Sequence, residues 1–314
     1  MEKTDNDKFI FFQNKLNEAD SVLSDFTMPF NEAYNPKVSS LKETLLHVFE
    51  DKVPDSHEKK SSINLGLRFV DDEINGLENG SLTIIGTNLM SCTLPVSIVS
   101  KFISEEDSNL RIGIISAKNT LENVVTRLLA IYTNSSVREI YNLSLSEKEF
   151  KKVKSVCESL YDKPIFINAN SFPSLEEFKA TAIKMRYEND IDILFVESFE
   201  CVGNDVKSSF KNDFEMYRCF SRYLKELAVF LDIPVVVSLF QLNNDETHAT
   251  AMDFAGSGIS SEYVDNILFC DFANDHRIRG NKYFGCLHLL KGKSYQSEIS
   301  ISYNTNTTEI DVDY

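Results

Sequence analysis

Apolar and polar positions along this chain keep two different rhythms. As far as residue 50 the rhythm is helical. Phe9, Phe12, Leu16, Ala19, Leu23 and Phe26 recur three or four residues apart, which predicts a helix over 8–26, ended by Pro29 and the AYNP stretch at 33–36. Leu41, Leu45, Val48 and Phe49 make a second apolar stripe behind Ser40, whose spacing to Glu43 is that of a capping box; a second helix is expected over 40–50. The segment DKVPDSHEKKSS at 51–62 has no apolar period and reads as a polar linker. From residue 63 the rhythm changes: short Val/Ile/Leu-rich runs alternate with amphipathic stretches. Strands are expected at 82–86, 111–116, 165–168, 192–197, 233–239, 266–271, 284–290 and 297–303, and helices at 94–104, 119–132, 145–161, 173–188 and 212–232. That alternation argues an α/β fold, a mainly parallel sheet with helices on both faces. The last two strands follow each other through the short turn GKSYQ, so an antiparallel terminal pair is expected. The chain therefore divides into a helical N-terminal extension with a linker helix, 1–62, and an α/β core, 63–314.

Composition narrows the function classes. An apolar fraction of 42% supplies a full core, but the formal net charge of −16 argues against a general electrostatic hold on DNA or RNA. The six cysteines, at 92, 157, 201, 219, 270 and 286, show no C-x-x-C and no histidine at ligand spacing. They read as reduced, mostly buried thiols in an intracellular protein, with no metal site. His47, His57, His248, His276 and His288 are scattered, and none stands by a plausible nucleophile. No apolar run has the length of a membrane span and the start, MEKTDNDK, is no signal peptide, so a cytoplasmic protein without a membrane partner is expected.

The stretch Ser81–Pro95, SLTIIGTNLMSCTLP, carries the candidate chemistry. It reads as a buried strand, a tight loop and a helix start, the layout of a P-loop with the pattern G-x-x-x-x-G-K-S/T. Gly86 and Thr93 keep the two ends of that pattern, while Ser91 and Cys92 stand where phosphate chemistry wants Gly and Lys. Neither a hydroxyl nor a thiol replaces the lysine's charge on the β/γ-phosphates.

On both sides of that loop the chain resembles, segment by segment and in order, the RecA-like motor domain of the DnaB family of bacterial replicative helicases. NLGLRFVDDEINGLENGSLTIIG is similar to that family's opening segment, and RIGIISAKNTLENVVTRLLA to its second strand and helix. The stretch from LSEKEF to DIDILFVESFE resembles its middle, through to the Walker B strand. SRYLKELAVFLDIPVVVSLFQLNN, SGISSEYVDNILF and LHLLKGKSYQSEISISYN resemble its later motifs, so the likeness runs over about residues 63–305.

The resemblance implies a RecA-like, P-loop-type core and a role in DNA replication. It implies that the helix at 40–50 is a linker helix docking through Leu41, Leu45, Val48 and Phe49 on a neighbouring subunit of a ring. Only the 8–26 helix stands where the family has a globular N-terminal domain. The same resemblance places Lys118 at the family's catalytic glutamate, Glu197 at the Walker B aspartate and Glu200 at a glutamine. Thr93 keeps the hydroxyl that reaches a metal ion; at the arginine-finger segment Lys291 matches a lysine and Lys293 replaces an arginine.

Phosphate-binding charge and general base contribute separately to phosphoryl transfer, and here both are lost. A swing of Lys118 into the phosphate site would repair only the first. The stretch Asn243–Asp275, where the resemblance implies the family's basic channel lining, holds no Lys or Arg and seven acids, Asp245, Glu246, Asp253, Glu262, Asp265, Asp271 and Asp275. The loop with Lys207 and Lys211 is offset by Asp205 and Asp213. The expectation is a pseudo-ATPase with a binding or regulatory role and weak or absent DNA binding. It would need no cofactor and would partner a replicative helicase, a replication factor or a second copy of itself. The alternative is a divergent ATP-dependent DNA helicase working through unconventional residues with ATP and Mg²⁺.

Overall fold

The computed structural model describes residues 62–89, 97–99, 110–170, 174–199, 205–240, 259, 262–272, 278–291 and 297–312. The helices expected over 8–26 and 40–50 lie outside the described residues, which belong, residues 62 and 63 apart, to a compact unit from Asn64 to Tyr314.

In chain order the elements begin with helix α1 (Arg68–Ile74), strands β1 (Leu82–Thr87) and β2 (Ile112–Ser116), and helices α2 (Leu121–Thr133), α3 (Val137–Tyr141) and α4 (Glu147–Leu160). Then come β3 (Ile165–Asn168), α5 (Leu175–Asn189), β4 (Ile193–Glu197), a 3₁₀ turn (Lys207–Ser209), α6 (Asp213–Leu231) and β5 (Val235–Phe240). Strands β6 (Asn266–Asp271), β7 (Ile278–Arg279), β8 (Lys282–Lys291), β9 (Ser297–Asn304) and β10 (Glu309–Val312) complete the chain. Residues 97–99 are helical, inside the helix expected over 94–104.

One sheet holds all the strands, in the order β10-β9-β8-β6-β1-β5-β4-β2-β3 with β7 on β8. From β3 to β6 neighbours are parallel, and β6-β8, β8-β9 and β9-β10 are antiparallel. Every residue of β1, β2, β4 and β6 is buried, as continuous apolar runs covered on both faces require. Tyr303, Phe178, Phe195, Phe199, Phe220 and Phe269 are the largest fully buried side chains among the described residues.

Local signals place the helix ends. Ser136, Ser146 and Ser174 each close a capping box with the glutamate three residues on, and Asn212 caps α6 by accepting the Glu215 N–H. Asn75, Asn134, Asp190 and Asp232 end their helices in the left-handed conformation, which short polar side chains tolerate. Among the described residues no helix is long and apolar enough to cross a membrane.

Four elements go beyond the expected set. Helix α1, α3, β7 and β10 are two to seven residues long, too short for a period to show. In α1 a buried carboxylate compensates: Asp71 accepts the Leu65 N–H, and its own backbone N–H bonds the Leu67 carbonyl. The antiparallel part is a run of strands, larger than the expected pair. The cysteines also need correcting: of the four described, Cys270 is buried, Cys219 and Cys286 are half-buried, and Cys157 is exposed on α4, a helix that buries no residue fully.

Candidate nucleotide site

Parallel strands deliver their carboxyl ends to one edge, and loops leaving that edge are where α/β sheets hold ligands. Register brings the expected positions there. Gly86 of β1 lies level with Leu239 of β5 and Phe269 of β6, and Ser116 of β2 lies level with Glu197 of β4. Gly86, Ser116 and Glu197 are all buried.

Glu197 is the centre of this edge and is only 5% exposed. The Ser116 hydroxyl donates to its Oε2, and the Asn119 amide donates to Oε1 at 2.7 Å. The Asn119 backbone N–H in turn reaches Ser116 Oγ at 3.3 Å, so the three residues form a closed ring of contacts. The next residue, Ser198, is held at φ 78°, a left-handed conformation uncommon outside glycine, and its N–H donates to Ser238 Oγ at 2.9 Å. Lys118, between the two donors of Glu197, is exposed at the mouth of the same edge.

The loop leaving β1 is tied across to β6. Asn88 Nδ2 donates to Asp271 Oδ1 at 2.8 Å, and Asn88 Oδ1 accepts the Phe272 N–H at 2.9 Å. The Leu89 N–H bonds Thr87 Oγ1 at 3.1 Å. Next to Asp271, burial pushes the Cys270 thiol up to about 12, with the neighbouring carboxylate adding to the shift, so this sulfur is no nucleophile at neutral pH. Ser91, Cys92, Thr93 and Glu200 lie outside the described residues.

Lys291 sits at the other end of the sheet. It pairs in register with Ile267 at the start of β6, and its ammonium donates to the Val264 carbonyl. Burial lowers its pKa, against the pull of Asp265, and Lys225 nearby lowers it further. Lys225 itself bridges the Gly80 carbonyl (2.8 Å) and Asp265 Oδ2 (2.7 Å), and Asp265 accepts the Leu82 N–H at 2.7 Å. Four residues of β6, about 13 Å at ~3.3 Å per residue, separate the level of Lys291 from Asp271, so Lys291 lies away from the edge that holds Asp271. Lys293, and Leu41, Leu45, Val48 and Phe49 of the expected interface, lie outside the described residues.

Two of the seven acids read as a repelling stretch have other duties: Asp271 is buried and accepts from Asn88, and Asp265, at the surface, accepts the Leu82 N–H and the Lys225 ammonium. Glu262 faces Arg218 at 3.7 Å, and Asp245, Glu246, Asp253 and Asp275 lie outside the described residues. Lys207 lies in the 3₁₀ turn, and the Lys211 N–H donates to Glu215 at 3.2 Å. Among the described residues no three His, Cys, Asp or Glu side chains gather as a metal ion needs. Sequence reasoning missed Asn88, Ser116, Asn119 and Asp271 as members of this edge. Ser116 and Asn119 flank Lys118 and were within sight; Asn88 and Asp271 are 183 residues apart and carry no local signal.

Comparison with known proteins follows the same outline. The family model for the DnaB-like helicase C-terminal domain matches residues 62–271, ending with β6. The replicative DNA helicase DnaB of Treponema pallidum is 24% identical over 211 residues, 66% of this chain and 47% of that protein. A solved ATPase domain superposes with a TM-score of 0.71 at 14% identity, over 87% of this chain and 98% of that domain. A DnaB-like replicative helicase, solved with its interactions with primase, superposes with a TM-score of 0.69 at 14% identity, over 97% of this chain and 77% of that one. The chain spans about half the length of the curated relatives it matches.

Proposed function

This chain belongs to the DnaB-like helicase C-terminal domain family, and from that membership we propose that it acts in DNA replication as a non-catalytic, protein-binding member. One observation carries the reading. At the edge where relatives of this fold class activate water and hold a metal ion, Lys118 stands in the place of the base and Glu197 is engaged by Ser116 and Asn119. A lysine is protonated at neutral pH and opposes the role of a general base. Cys92 in the P-loop removes the phosphate-binding charge as well.

A RecA-like scaffold keeps docking surfaces that do not depend on phosphate chemistry, so loss of the second leaves the first usable. The partner is a replicative helicase, a replication factor or a second copy of this chain. The similar helicase solved with primase makes a primase-class factor the first to try. Leu41, Leu45, Val48 and Phe49 supply the contact, and burial of each in a partner's groove contributes roughly 1.5–3 kcal/mol.

An ATPase assay on the full chain, with and without single-stranded DNA, tests the reading. Turnover well below about 1 s⁻¹ is expected. Turnover at or above that rate, abolished by Thr93→Ala, establishes the alternative of an unconventional helicase. The converse test is the combined change Ser91→Gly, Cys92→Lys and Lys118→Glu, which returns the family's residues: activity that then appears would show that only the chemistry had been lost.

A further inference from the structure

In P-loop NTPases a Mg²⁺ ion is held by the P-loop Ser/Thr and the Walker B Asp. The residues of this edge do not fit that ion. Mg²⁺ is bound through one or two carboxylates while it keeps several of its waters, so the carboxylate must open onto room for a hydrated ion. Glu197 is 5% exposed, and both its oxygens already accept hydrogens, from the Ser116 hydroxyl and the Asn119 amide. We infer that Glu197 with Ser116 and Asn119, and Asn88 with Asp271, are two clasps that tie the strand ends to one another without any ligand. The inference rests on the reading of Glu197 and of the Gly86–Thr93 loop as the family's nucleotide positions.

The first clasp depends on the length of the glutamate. An aspartate carboxylate would sit about 1.5 Å further back, one C–C bond, and would lose contact with one or both donors, Ser116 on β2 and Asn119 just after it. The glutamate therefore supplies the reach that joins β4 to β2, and a buried carboxylate bonded by two donors is stable only while both remain. The second clasp joins β1 to β6. Asn88 spends its amide hydrogen on Asp271 and its oxygen on the Phe272 N–H, leaving a buried carboxylate beside the loop that would cradle a phosphate. The Leu89 N–H, one of the donors such a loop offers to an anion, is bonded to Thr87. A phosphate entering here would have to displace that hydroxyl and stand near Asp271; a Mg²⁺ with its waters would have to find room at a carboxylate that is buried and already bonded by two donors.

Thermal melting of the full chain tests this with Glu197→Asp, the residue that the family itself uses, and with Asn119→Ala. A clasp predicts that each lowers Tm by on the order of 5 °C. It also predicts that the double variant falls by clearly less than the sum, and that MgCl₂ with ATP leaves the parent's Tm unchanged. The clasp is overturned if Glu197→Asp melts like the parent, or if Mg–ATP raises the parent's Tm and EDTA abolishes the rise. Should a variant fail to fold, fluorescent-nucleotide titration of the parent with and without Mg²⁺ decides: metal-dependent binding overturns the clasp, and its absence supports it. The outcome is separable from the ATPase assay. No turnover together with an unshifted Glu197→Asp melt removes the clasp and leaves the non-catalytic reading, whereas metal-dependent turnover overturns both.

Discussion

A Cβ built on Gly285 would lie 2.1 Å from the Asp271 carbonyl oxygen and 2.9 Å from its carbon, and neither atom belongs to a side chain that can swing away. Gly285 is on β8 opposite the end of β6, so the absence of a side chain lets the antiparallel half close against the edge that carries Asp271 and Asn88. Gly285→Ala is expected to cost on the order of 3 kcal/mol, read as a lower denaturation midpoint with unchanged slope. Gly280→Ala is the control. Nothing lies within 4 Å of its Cβ, and only its φ of +61° is strained, so a loss of about 1–2 kcal/mol is expected. Equal losses at the two positions would show that backbone conformation, not the approach of β6, governs Gly285. Residue identity was legible in the sequence here, but its reason was not: nothing local distinguishes Gly285 from a chance glycine in a strand.

At the scale of elements, helix α4 shows how local chemistry acts without burial. None of its residues is fully buried, yet Ser146 and Glu149 close its first turn. The Ser146 hydroxyl and backbone N–H hold the Glu149 carboxyl below its ordinary 4.5. A depressed folded-state pKa means that this contribution is complete above the unfolded value and is lost as pH falls through the folded one. Ser146→Ala is expected to return the Glu149 pKa toward 4.5 by NMR titration and to weaken protection of the first-turn amides. A titration unaffected by the change would mean that the helix end, rather than the serine, holds the carboxylate. Strands such as β1, β2 and β4 were legible because continuous apolar runs bounded by turns have one reading. Helix α3, β7 and β10 were not, since two to five residues carry too little period.

Charge belongs to the whole molecule. With a formal net charge of −16 the chain repels a phosphate backbone at long range, and phosphate contacts need Lys and Arg that face it. Among the candidate cations, Lys291 is bent onto the Val264 carbonyl, and Lys211 lies beside the acidic start of α6. Weak binding to single- and double-stranded DNA is expected, with dissociation constants above about 1 μM at physiological salt. Sub-micromolar binding that falls steeply with added salt would show several phosphate contacts and send attention to residues 207, 211, 291 and 293.

The sequence by itself determined the α/β class, the longer strands and helices from residue 63, and the residue types at 92, 118 and 197. Burial period and single-residue chemistry are local, and one chain carries them whole. Tertiary structure alone decided what surrounds Glu197. Ser116 and Glu197 are 81 positions apart and Asn88 and Asp271 are 183 apart, and they meet because β1 lies between β5 and β6 while β2 lies beside β4. Strand order is set by which faces can be buried together, a sum over the entire sheet. No window of sequence contains that sum, so whether a carboxylate at the strand edge faces a metal ion or a neighbouring serine is settled only when the sheet is assembled.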